Sequence, residues 1–269
     1  GWMELALAVQ DRCGVRLAAA DIAAAETIRD LLQRCADVRS EVPAMLPVAA
    51  TPSPYLAPTP PLLTMLGLFL YAINWLLMRL LFRLRVLGAD TLPSTGGFVI
   101  TPNHASYLDP FAIAAALPLA CARRTYWAGS VALLFRTGAR RLFSRAAHVF
   151  PVDENDPQAA ISACVDLLRA GRVAVWFPEG WRTPDGRLQR FQPGIGRIVR
   201  CADVPVVPAS LAGTFLAWPR GRLLPRLRRI TVTFGNALPA QQLRAPGDNQ
   251  SADERIAEAL RRQVARLSE

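Results

Sequence analysis

An α/β fold, one sheet with helices packed on both faces, is what this 269-residue sequence predicts. Three observations lead there. From residue 97 onward, short apolar runs rich in β-branched residues alternate with helix-like segments, as in a sheet whose connections are helices. Ahead of them, residues 62–78 are almost wholly apolar. Earlier still, residues 39–61 hold seven prolines in 23 positions, which sets residues 1–38 apart. The chain therefore divides into a small helical piece (1–38), a linker (39–61), an apolar helix (62–86) and an α/β domain (87–269).

The first piece reads as short helices. Trp2, Leu5, Val9 and Cys13 share one helical face, and Gly14 stops that helix. Asp21 and Thr27 are N-cap candidates, and Ile28, Leu31, Leu32 and Cys35 form the next apolar stripe. The linker follows, semi-rigid because proline fixes the backbone and removes donors. In residues 62–78 only Thr64 and Asn74 are polar, and Arg79, Arg83 and Arg85 come next. Leu66, Phe69, Leu70, Ile73, Leu76 and Leu77 have apolar neighbours on every side, which favours a helix dipping into one membrane leaflet. A core helix or a full span are the alternatives, since about 17–25 residues cross a bilayer. Downstream, strands are expected at 97–101, 125–128, 148–152, 173–177, 206–211 and 230–234. Helices are expected at 110–116, 157–170, 194–201 and 252–267.

Charge narrows the partners. The net charge is +10, and all 31 basic residues are arginine. Residues 1–60 carry five arginines against seven acids, and the remainder 26 against 14. A basic surface beside apolar segments fits anionic lipid. No zinc-finger, RNA-recognition or basic-zipper pattern accompanies it, so no nucleic-acid partner is expected. Cys13, Cys35, Cys121, Cys164 and Cys201 are scattered, without a CxxC pair, and read as reduced thiols in a cytosolic setting rather than metal ligands. The start lacks the pattern of a secretory signal and reads as part of a longer chain.

Chemistry concentrates in two blocks. Asn103-His104-Ala105-Ser106-Tyr107-Leu108-Asp109 follows an apolar strand. The imidazole of His104 is suited to take a proton near neutral pH, and the carboxylate of Asp109 can hold the other ring nitrogen. Asn103 and Ser106 can hold the turn or donate to that carboxylate. The second histidine, His148, lies in an apolar run without a nearby acid and reads as a strand residue. Phe177-Pro178-Glu179-Gly180-Trp181-Arg182 ends a later strand. There Pro178 fixes the exit, Gly180 permits close backbone approach, and Glu179 and Arg182 are the charged groups nearest the site. Arg182 can fork onto a phosphate or pair with Glu179 to hold the loop.

These blocks, with Val204-Pro205-Val206-Val207-Pro208 after them, resemble the glycerolipid acyltransferase family over residues 62–240. The resemblance implies a mixed sheet flanked by helices, an N-terminal membrane-docking helix, and acyl transfer from a thioester to the hydroxyl of a lysolipid. It gives His104 and Asp109 the catalytic role and assigns the 177–182 block to the acceptor's glycerol phosphate, with no metal or cofactor. The family has an arginine shortly after the strand at 148–152. Glu154 stands there instead, which shifts that duty to Arg145, Arg124 or Arg182, or points to a different lysolipid such as an amino-acid-linked one.

Residues 3–32 resemble the latter part of an acyl carrier domain, and a generic helical hairpin is the alternative. That resemblance implies a phosphopantetheine on a serine upstream of Gly1. The expected partners are acyl-CoA or an acyl-carrier thioester, a lysolipid acceptor and a membrane surface, at its cytoplasmic face. A non-catalytic module that docks a carrier domain on the bilayer is the reading from another class.

Overall fold

A computed structural model describes residues 27, 29–30, 57–153, 156–244 and 251–268. Most of the carrier-like piece, the linker up to residue 56, and Glu154 lie outside the described residues. The chain divides into two compact units, Gly1–Val48 and Ala49–Glu269. In the first, the Thr27 hydroxyl accepts the N–H of Asp30 (3.1 Å), and the Asp30 carboxylate takes the N–H of Thr27 (3.0 Å). Thr27 thus caps as expected, and Asp30 returns the bond, which the sequence reading did not foresee.

The second unit opens with helix α1, Pro61–Leu81. It begins on a proline, whose missing N–H costs nothing in a first turn. Its length and composition suffice to cross a membrane, and Met78 is its only buried residue. Leu62, Met65, Phe69 and Leu80 project outward. Two polar side chains tie the helix to the body: Tyr71 Oη donates to the Leu117 carbonyl and Asn74 Nδ2 to that of Phe111, each at 2.9 Å. The helix is shorter than the expected 62–86. Arg83 adopts a left-handed backbone, and Arg85–Leu87 form strand β1. The buried side chains of Phe82 and Leu84 pull the chain off the helix axis and into the sheet.

Six more strands follow: β2 Phe98–Pro102, β3 Thr125–Ser130, β4 Val149–Val152, β5 Val173–Val175, β6 Val206–Ala212 and β7 Thr231–Phe234. Their order is β1-β7-β6-β2-β5-β3-β4. All neighbours are parallel except β6 and β7, so the sheet is mixed. Strand β2 is central and buried at every position, as a strand covered on both faces must be. Phe98, Ile100, Ile113, Val175, Val207 and Ile230 belong to one core cluster around it.

The longer helices carry their own start signals. Helix α2 (Asp109–Ala116) has Pro110 in its first turn. After the short α3 (Leu119–Ala122), α4 (Val131–Leu134) and α5 (Gly138–Ala146) comes α6 (Pro157–Arg169), capped by Asp156 through the N–H of Ala159. Helix α7 (Gly194–Ala202) precedes β6; α8 (Thr214–Ala217), α9 (Ala240–Leu243) and α10 (Ala252–Arg266) complete the chain. Ser251 and Glu254 form a capping box on α10. Gly196 lets α7 and α10 meet: a Cβ there would lie 2.1 Å from the Asp253 carbonyl oxygen.

This topology positions the chemistry. Strands β2 and β5 are parallel neighbours with Ile100 opposite Val175. The loops leaving their carboxyl ends, at 103–108 and 176–193, therefore emerge side by side. That end of a parallel sheet is where α/β proteins place their sites.

Candidate active site

The turn after β2 is fastened before it does anything else. The Asn103 side chain donates to the Leu211 carbonyl (3.1 Å) and accepts the Leu211 N–H (2.7 Å). Both ends of its amide are thus spent on β6. The next residues wrap around one carboxylate. Oδ2 of Asp109 accepts the N–H of Ala105 (2.6 Å), the N–H of Ser106 (2.7 Å) and Nδ1 of His104 (2.9 Å). The Ser106 hydroxyl donates to the Trp218 carbonyl (2.7 Å) and accepts the N–H of Leu108 (3.1 Å). Asn103 and Ser106 hold the turn in these contacts.

Asp109 is fully buried, and its Oδ1 has no hydrogen-bond partner among the described residues. With Nδ1–H of His104 donating to Oδ2, Nε2 carries the lone pair. The imidazole is 19% exposed and stacks on Phe177 with ring centroids 4.1 Å apart. Held from below and from one side, the ring can move little, and Nε2 has no bond to any described residue.

The loop after β5 grips His104 by its backbone. Oε1 of Glu179 accepts the His104 N–H (2.6 Å), and Oε2 accepts the Gln189 N–H (3.0 Å). The Thr183 N–H donates to the His104 carbonyl at 2.8 Å. Both polar backbone groups of His104 are therefore held by residues 179–183. Gly180 takes φ +79, a left-handed turn that a side chain would strain. Pro178 accepts the Gln192 N–H at 2.7 Å. Burial pushes the Glu179 carboxyl up to about 7, the two N–H bonds pull the other way, and the charge of Asp109 adds to the rise.

No Glu179–Arg182 ion pair forms. The guanidinium of Arg182 instead lies over the Tyr107 ring, 3.5 Å from its centroid. Its Nη1 is buried without a hydrogen-bond partner among the described residues. Tyr107 in turn tilts against Trp218 at 5.5 Å. Sequence reasoning singled out neither Tyr107 nor Trp218. Tyr107 sits inside the 103–109 block, but its spacing says nothing of a guanidinium arriving from a loop 75 residues on.

Among the other arginines, Arg145 is exposed on α5, which leads to the edge strand β4 with β3 and β5 between it and β2. Arg124 is bound to the carbonyls of Pro93, Gly96 and Gly171. Arg182 is thus the one of the three that has a free donor beside His104's turn. His148 precedes β4 in a left-handed conformation rather than opening the strand, and its ring stacks on Tyr126 at 4.8 Å.

Comparison with known proteins points the same way. Residues 83–212 match the sequence profile of the Acyltransferase family. A 1-acyl-sn-glycerol-3-phosphate acyltransferase of Limnanthes alba is 31% identical over 136 residues, 49% of this chain and 47% of the relative. One from Cocos nucifera is 32% identical over 136 residues, 49% of this chain and 42% of that protein. The alpha form from Homo sapiens is 30% identical over 135 residues, 48% of this chain and 46% of that protein. The chain spans about half the length of these relatives. The crystal structure of the 1-acyl-sn-glycerophosphate (LPA) acyltransferase PlsC from Thermotoga maritima shares the fold. Its TM-score is 0.58 at 20% identity, covering 75% of this chain and 81% of that one.

Proposed function

We propose that this chain, whose residues 83–212 match the Acyltransferase family, moves a fatty acyl group from a thioester to the free hydroxyl of lysophosphatidate at a membrane surface. The observation that carries this reading is the bond from His104 Nδ1 to Asp109 Oδ2, which leaves Nε2 open. Nε2 takes the proton of the acceptor hydroxyl as its oxygen attacks the thioester carbonyl carbon. The C–O bond forms, and the tetrahedral intermediate collapses with loss of the C–S bond. The departing thiolate takes the proton back from the imidazolium. Asp109 stabilises that imidazolium throughout, which is worth most in a buried setting. Catalysis then needs neither a covalent enzyme intermediate nor a metal.

Arg182 supplies the acceptor's anchor. A guanidinium face-on to Tyr107 has its donors along its edge, and Nη1, which has no hydrogen-bond partner among the described residues, suits a phosphate oxygen. Replacing Arg182 by Gln should raise KM for lysophosphatidate about tenfold to a hundredfold, the worth of a charged hydrogen bond, while sparing an acceptor without a phosphomonoester. The apolar α1 supports docking on a membrane, and the proposed side is the cytoplasmic face. The carrier-like pattern at residues 3–32 supports a thioester delivered on phosphopantetheine as well as by coenzyme A.

The test is direct. Purified chain is given lysophosphatidate vesicles with labelled acyl-CoA or acyl-carrier thioester, and phosphatidate is measured by mass spectrometry. Product that requires both substrates is expected. Absence of transfer from either donor overturns the reading.

A further inference from the structure

Between α8 and β7 the chain runs Pro219-Arg220-Gly221-Arg222-Leu223-Leu224-Pro225-Arg226-Leu227-Arg228-Arg229, five arginines and no acid. Leu223, Leu224 and Leu227 are 91%, 75% and 63% exposed. One exposed leucine on a surface needs no explanation, but three within five residues do. All five arginines are exposed, and none forms an ion pair with a described residue. The segment is nevertheless shaped. The Arg226 N–H donates to the Ala217 carbonyl (2.8 Å) and the Trp218 indole to the Arg222 carbonyl (2.8 Å). Arg222 Nε reaches the Leu224 carbonyl at 3.1 Å, and Gly221 supplies a left-handed turn.

Its two ends matter as much as its composition. At the start, the Trp218 carbonyl takes the hydroxyl of Ser106, and its ring leans on Tyr107. At the finish, the Ile230 N–H donates to the Phe82 carbonyl, and the Arg85 N–H to that of Ile230. The loop therefore starts at the catalytic turn and ends against the last turn of α1, where Leu80 and Leu81 are exposed.

We propose that residues 219–229 are a second membrane contact, whose arginines bind the phosphates of anionic lipids while Leu223, Leu224 and Leu227 enter the headgroup region. The loop continues the apolar surface of α1 to the catalytic turn and holds that turn's mouth at the interface. An acidic protein would answer the arginines alone. A bilayer with anionic lipid answers both the arginines and the leucines. This inference concerns binding and stands apart from the reaction itself.

Vesicle co-sedimentation of the full chain tests it, with phosphatidylcholine alone and with phosphatidylglycerol added. The triple variant Arg226→Gln, Arg228→Gln, Arg229→Gln should lose about a hundredfold in partition to the anionic vesicles, near fivefold per arginine, and little to the neutral ones. Leu223→Ser with Leu224→Ser should weaken partition to both by at least about tenfold. All these side chains are exposed, so thermal melts should match the parent. Should α1 alone hold the chain on vesicles, Leu224→Trp still reports: its added emission should be quenched by brominated lipid. Unquenched emission overturns the proposal, as does arginine-dependent capture of an acidic carrier protein with vesicle partition unchanged.

Discussion

His104 and His148 are the only two histidines in the chain, and they share more than their roles suggest. Each is partly buried. Each stacks on an aromatic ring, Phe177 for one and Tyr126 for the other. Each sits beside a strand of the same sheet. What separates them is the partner on the ring nitrogen. His104 has the buried Asp109 on Nδ1 and Glu179 on its backbone N–H. No carboxylate bonds His148 among the described residues. Burial, with the charge of Arg172, instead pushes its pKa below the usual value against a hydrogen bond that the ring donates to the Thr125 carbonyl. Stacking and burial hold an imidazole still; the carboxylate makes it a base that can carry a proton through a transition state.

The sharpest break of this comparison removes each ring in turn. His104→Ala should cost about 10²–10⁴-fold in kcat, the usual worth of a positioned base. His148→Ala should leave kcat unchanged in the folded enzyme. Single-turnover acyl transfer with the two variants side by side decides it, and equal losses would end the distinction. Asp109→Asn comes next, at about 10²–10³-fold. Asparagine can keep its oxygen toward Ala105, Ser106 and Nδ1 but cannot neutralise the imidazolium. A fully active variant would mean that the carboxylate only shapes the turn.

The part of this site carried by adjacent residues was legible in the sequence. His104 and Asp109 fall within one turn, so five positions of spacing translate into a bond. Long-range roles were not. Glu179 reads as a pocket carboxylate, yet it is the acceptor for the N–H of His104, a contact that exists because β2 and β5 are neighbours. Arg182 reads as a phosphate ligand or an ion pair, and the ring of Tyr107 beneath it has no signature. In the fold, strands with β-branched apolar runs stand out, whereas β1 hides in three residues, Arg85–Leu87, at the end of an apolar stretch that reads as one helix. Helices of four residues, such as α3 and α8, are too short to show a period.

Glu179 offers a third test, read through stability. Its carboxyl titrates at about 7 in the folded chain, against an ordinary value of 4.5. Between these values the native state holds a proton that the unfolded state has lost. Unfolding free energy should therefore fall as pH rises from about 4.5 to about 7, by about 3 kcal/mol. Glu179→Gln removes the titrating group, so denaturant melts of the variant across that range should lack this slope. Parallel curves would show that the carboxyl titrates normally.

His148 should contribute the smallest effect, and with the opposite sign. Its folded pKa lies below 6.5, so the unfolded chain binds the proton first. The stability it lends is complete above pH 6.5 and is lost as pH falls through and below that value. His148→Asn suits the left-handed backbone, φ +55, which asparagine tolerates. It forfeits the stack on Tyr126, worth about 1 kcal/mol. At pH 8 the variant should be less stable by about that amount. Toward pH 5 the gap should narrow, because only the parent pays to keep a buried imidazole neutral. A gap that widens in acid would mean that His148 gains a carboxylate partner when protonated. The two histidines would then differ in access to substrate rather than in chemistry.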